Sequence, residues 1–132
     1  MRNRLAEPEK TSLLPGFYSL EGQPVFSGGQ LQVGLRLHPE HPIFAGHFPG
    51  NPVTPGVCML QIIKELTETQ LGKSLLLIGA SQVKFTALIN PFVHPLLHLV
   101  LDIREGQEVQ VKAQVTFGET LALKLNGRYR VL

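Results

Sequence analysis

Leu31, Val33, Leu35 and Leu37 alternate with Gln30, Gln32, Gly34 and Arg36, the two-residue period of a half-buried strand. The same alternation returns after the middle of the chain and predicts strands over 74–89, 96–104, 108–117 and 120–132. Glu105-Gly106 and Gly118-Glu119 separate the last three of these and are short enough to join antiparallel neighbours. Asn126-Gly127 leaves too little chain behind it for another strand, so it is expected to be a bulge or kink within the last one. Between Phe17 and Phe26 the pattern is broken by Gly22 and Pro24, which predicts short extended pieces.

Only one segment carries the period of a helix. From Val57 to Leu71, the side chains Cys58, Met59, Ile62, Ile63 and Leu66 fall on one arc at about 100° per residue, with Gln61, Lys64 and Glu68 opposite. Glu65 borders the apolar arc. Pro55-Gly56 before the segment and Gly72 after it suit the two ends of a helix. The stretch from His38 to Pro55 carries Pro39, Pro42, Pro49, Pro52 and Pro55 and is expected to be an irregular, stiff loop, because proline fixes φ and removes an amide donor. One helix against one face of an antiparallel sheet is an α+β arrangement.

Composition narrows the partners. The chain has 132 residues, enough for one core-bearing domain, read as a polar lead-in over 1–12 and a single domain over 13–132. A net charge of +2 with scattered basic residues does not point to nucleic acid. No apolar run is long enough to span a bilayer, and the charged, proline-broken start is unlike a signal peptide. The single cysteine, Cys58, excludes an internal disulfide and suits a reducing compartment. A cytoplasmic location is the expectation.

Chemistry concentrates in Gly46-His47-Phe48-Pro49-Gly50-Asn51-Pro52-Val53-Thr54-Pro55-Gly56, which feeds into the helix. It places one imidazole on a stiff loop beside a helix N-terminus, whose free N–H groups can hold developing negative charge. A base next to such a site is what proton abstraction beside a carbonyl needs. His38, His41, His94 and His98 lack a completing cysteine or carboxylate at ligand spacing, so no metal site is expected. Cys58, on the apolar arc, reads as a small buried hydrophobe rather than a nucleophile.

The six His, Pro and Gly positions of His47-Phe-Pro49-Gly50-x-Pro52-x-x-Pro55-Gly56 resemble the signature loop of the 3-hydroxyacyl-acyl-carrier-protein dehydratases. Leu13-Leu-Pro15, Glu40 to Gly46 and Val83-Lys-Phe85 extend the resemblance more weakly. It implies a hotdog fold: a curved antiparallel sheet around one central helix, paired into a homodimer or an oligomer of dimers. It further implies that His47 is the base on C2 of a 3-hydroxyacyl thioester and that the Gly56 N–H polarises the thioester carbonyl. Val57 would help line the acyl tunnel. The substrate would arrive on acyl-carrier protein or coenzyme A, and no separate cofactor is implied.

One position departs from that family. Where its members carry a catalytic Glu or Asp on the helix, this chain has Gln61, and Glu65 stands one turn later where they usually have Gln. An amide has no proton to give at pH 7 and can only orient the hydroxyl, which leaves Glu65 as the candidate acid. The leading reading is a dehydratase of fatty-acid or related acyl-chain synthesis. The alternative is a non-catalytic acyl-thioester-binding or accessory subunit, and a hotdog thioesterase ranks third.

Overall fold

The computed structural model describes residue 12, residues 14–46 and residues 52–132. Its elements run β1 (Tyr18–Ser27), β2 (Gln30–Leu37), α1 (Pro42–Gly46), α2 (Gly56–Leu71), β3 (Leu75–Phe85), β4 (Leu96–Glu105), β5 (Val109–Phe117) and β6 (Thr120–Val131). The six strands form one antiparallel sheet in the order β1-β2-β4-β5-β6-β3. The hairpin strands β4, β5 and β6 therefore sit in sequence, while β3 crosses to the far edge and pairs with the last strand, Leu75 facing Val131.

The alternation read from sequence is the alternation of faces. Leu31, Val33, Leu35 and Leu37 of β2 are buried beside Leu97, Leu99 and Leu101 of β4 and Val109, Val111, Ala113 and Val115 of β5. Their neighbours Arg36, His98, Asp102, Gln110, Lys112 and Gln114 look out to solvent. Onto the inner face α2 lays Cys58, Met59, Ile62, Ile63 and Leu66, none more than 5% exposed. Burying each of the larger side chains contributes about 1.5–3 kcal/mol, enough to hold a helix that has no side-chain N-cap. Gly72 ends α2 with φ 68°, donating its N–H to Glu68 O at 2.8 Å.

Three expectations need correction. The segment from His38 to Pro55 is not irregular throughout, because α1 occupies Pro42–Gly46. A single turn of helix carries no period. It is set instead by Pro42 at its start, by the His41 imidazole accepting the Ile43 N–H at 3.1 Å, and by the buried Phe44. The strand predicted to reach residue 89 stops at Phe85, where Thr86 and Ala87 both turn their N–H groups to Ala122 O. The irregularity expected at Asn126-Gly127 lies across from it. Strand β6 pairs in step at both residues, and β3 carries the register shifts, between Leu77 and Gly79 and between Ser81 and Lys84. Gln82 within the second shift has φ 52°. Gly127 answers a packing need: a Cβ there would stand 3.0 Å from the Tyr129 ring.

Candidate active site at the start of the central helix

Proline and glycine shape the entry to α2. Pro55 is extended, with φ −62° and ψ 140°, and its carbonyl accepts the N–H groups of Cys58 at 3.0 Å and Met59 at 3.4 Å. The N–H groups of Gly56 and Val57 have no hydrogen-bond partner among the described residues. His47, with 48–51, lies outside the described residues.

Gly56 opens onto a cavity of about 200 Å³ walled by Val53, Thr54, Met59, Phe85, Leu88 and their neighbours. The wall is almost wholly apolar. Its polar member is Thr54, 6% exposed, whose N–H donates to Ile89 O at 2.8 Å but whose Oγ1 has no partner among the described residues. Val57 is 72% exposed and does not contribute to this cavity within one protomer.

One turn into the helix, Gln61 and Glu65 touch. Gln61 Nε2 donates to Glu65 Oε2 at 2.9 Å. Glu65 is buried rather than solvated, 5% exposed, and its Oε1 accepts from Tyr18 Oη at 2.9 Å and from Ser12 Oγ at 2.8 Å. Both oxygens are thus occupied as acceptors, which places Glu65 in contact with Gln61 rather than out in the cavity beside Gly56.

The remaining candidates settle into structural contacts. His38 meets Ser19 Oγ at 3.0 Å, His41 meets Pro15 O at 3.1 Å, and His94 stacks on Phe117 with ring centroids 4.1 Å apart. Among the described residues no three His, Cys, Asp or Glu side chains converge as a metal site would require. Cys58 is buried, and that burial pushes its thiol pKa up despite the nearby helix N-terminus.

Residues 23–123 match the family model described as ApeI-like, the ApeI dehydratase. The chain belongs to the ApeI-like dehydratase family. A relative of this ApeI-like chain is the 3-hydroxyacyl-acyl-carrier-protein dehydratase FabZ of Caldanaerobacter subterraneus subsp. tengcongensis, 30% identical over 103 residues, covering 71% of this chain and 72% of the relative. Among solved structures, the dehydratase heterocomplex ApeI:P from Xenorhabdus doucetiae superposes with a TM-score of 0.66 at 9% identity, covering 86% of this chain and 82% of that one. A hypothetical thioesterase with coenzyme A from Streptococcus pneumoniae superposes with a TM-score of 0.62 at 11% identity, covering 87% and 85%. At those identities the two structures establish the fold alone, and that fold is the hotdog.

The ApeI-like chain also shows residues that sequence reasoning missed. Tyr18, Phe85 and Thr54 lie far in sequence from the residues they serve or inside an apolar run. Tyr18 reaches Glu65 across 47 positions. No local spacing could reveal that pair. The Thr54 hydroxyl, the one polar side chain from Pro52 to Leu60, was the available signal.

Proposed function

We propose that this chain is a 3-hydroxyacyl-thioester dehydratase taking its substrate on the pantetheine arm of acyl-carrier protein or coenzyme A. The observation that carries the reading is the N–H of Gly56, unpartnered among the described residues; Gly56 lines an apolar cavity at the start of the helix, and the unpartnered N–H of Val57 is next to it in the chain. Such donors suit the oxygen of a thioester whose carbonyl gains charge as C2 loses a proton. His47 removes that proton, and the electron pair moves into the thioester enolate held by the Gly56 N–H. The C3–O bond then breaks, the C2=C3 bond forms, and the imidazolium returns its proton to the departing hydroxyl as water. Gln61 orients that hydroxyl. The balance needs no metal or redox cofactor.

The working unit is a homodimer. Strand β3 is an edge strand, and its side chains Leu76, Leu77, Ile78, Val83 and Phe85 are between 37% and 54% exposed. A long apolar edge left open is an aggregation hazard, and pairing two β3 edges covers it. Val57, exposed in one protomer, then faces the second.

The test is His47→Ala assayed by hydration of crotonyl coenzyme A and dehydration of its 3-hydroxy product. Turnover is expected to vanish while thermal stability changes by no more than about 1 kcal/mol, the scale of one peripheral hydrogen bond. Unchanged turnover removes His47 from the mechanism.

A second reading draws on Gln61 itself. An amide where a proton donor is expected fits a subunit that binds the acyl thioester and completes its chemistry with a different hotdog partner, as the dehydratase heterocomplex ApeI:P pairs two chains. Activity that appears only when a second, acid-bearing hotdog chain is co-expressed selects this reading.

A further inference from the structure

We propose that Tyr18 and Glu65 are positioning residues that hold the Gln61 amide in one polarity, so that its carbonyl oxygen Oε1 is the atom offered to the substrate. The consequence is selectivity for a 3-hydroxyacyl chain over a 3-oxoacyl chain. The substrate half of this inference rests on the dehydratase reading above.

A glutamine side chain ends in an acceptor and a double donor of nearly the same shape, so a free amide can turn either edge toward a ligand. Gln61 is not free to do so. Its Nε2 lies 2.9 Å from Glu65 Oε2, and a carboxylate only accepts. Turning the amide over sets Oε1 against Oε2, two acceptors with no proton between them, in a place where Glu65 is only 5% exposed and water cannot easily intervene. The NH2 edge therefore faces Glu65 and the C=O edge faces away. Gln61 is half-buried, so that far edge stays reachable.

Glu65 is itself held from the sheet. Tyr18 Oη and Ser12 Oγ both donate to its Oε1, at 2.9 and 2.8 Å, leaving Oε2 turned to Gln61. Tyr18 is 4% exposed and opens β1, where it pairs with Leu37 of β2. The orientation of one amide on the helix is thus set by a phenol fixed in the strand ladder. A 3-hydroxyl carries a proton and can donate to Oε1. A 3-oxo group presents a second acceptor to the same atom, and a site left with two facing acceptors discriminates strongly.

The experiment compares unreactive analogues, 3-hydroxybutyryl- and 3-oxobutyryl-pantetheine with the thioester sulfur replaced by methylene, binding to wild type, Glu65→Gln and Tyr18→Phe. In parallel, the side-chain amide of Gln61 is followed by NMR in the ligand-free proteins. In Glu65→Gln the new amide can serve either edge of Gln61. The preference for the hydroxy analogue is expected to fall about tenfold, as for one lost hydrogen bond, through tighter binding of the oxo analogue as well as weaker binding of the hydroxy one. The Gln61 amide signals should move in both variants while the backbone spectrum stays native. A purely structural role would weaken both analogues equally, and that result overturns the proposal. Unmoved Gln61 signals in both variants overturn it as well. If Glu65→Gln does not fold, Tyr18→Phe decides the question on the same two readouts. If neither analogue binds wild type, the dehydratase reading and the selectivity fall together, and the Gln61 signals alone then sustain or overturn the positioning role.

Discussion

The Phe85 ring occupies the space where a side chain on Gly56 would begin: a Cβ built there stands 2.7 Å from Phe85 Cζ. Glycine at the first position of α2 is therefore a condition of the strand-to-helix contact, and the same contact floors the cavity beside the helix N-terminus. Gly56→Ala is expected to cost about 1 kcal/mol, at the low end for overpacking because the ring is half-exposed and can swing aside. Phe85→Ala should erase that cost. Urea unfolding of the two single variants and the double variant measures the coupling, and strictly additive effects would disprove the contact.

Thr54 offers a change that should stabilise. Its buried Oγ1 lacks a hydrogen-bond partner among the described residues, and valine has nearly the same shape without the hydroxyl. Thr54→Val is expected to raise stability by about 1 kcal/mol, the lower end of the penalty for an unsatisfied buried polar group. A lower denaturation midpoint for the variant would mean that the hydroxyl is in fact satisfied.

Alkaline stability should report on Tyr129. Burial, reinforced by the Glu68 carboxylate, pushes its phenol up from 10.0 to about 12. A group whose folded pKa is raised stabilises the fold fully below its unfolded pKa and loses that contribution as pH rises through the folded one. The loss thus falls between about pH 10 and pH 12, and a shift of this size corresponds to about 3 kcal/mol. Tyr129→Phe should flatten that limb relative to wild type in denaturant titrations at pH 9 and pH 12. Parallel curves would show that the phenol ionises without resistance from the fold.

The open edge of β3 predicts assembly behaviour. Ile78→Lys and Val83→Lys place charges on exposed apolar positions of that strand. Each is expected to convert a dimer to a monomer in sedimentation velocity at micromolar concentration, with unchanged near-ultraviolet circular dichroism. A dimer that survives both substitutions is held together elsewhere.

How much of this was readable in the sequence follows from the range of each interaction. The β4–β6 meander and α2 announce themselves because alternation and helical period are local, and their ends fall within two residues of expectation. Short α1 has no period and depends on an imidazole and one buried phenylalanine. The glycine of Asn126-Gly127 looked like a backbone device and is instead a packing one, because the ring it makes room for is also on β6. At the site, the proline–glycine loop and the exchanged Gln61 and Glu65 were visible as residue types. Their mutual contact follows from four-residue spacing on a helix, whereas the Tyr18 hydroxyl that orders them arrives from a strand no local pattern connects to it.

The crossing of β3 to the last strand sets an order on synthesis. Once Leu75–Phe85 has been made, its ladder partners on β6, Leu123 to Val131, do not yet exist. Its apolar side chains must wait, unpaired, while nearly forty further residues are added. The β4–β5 hairpin can close early against β2, but the sheet acquires its sixth strand only when the final stretch emerges. A nascent chain stalled before β6 would therefore display β3 with both edges open, a form that chaperones should recognise and the finished protein should not.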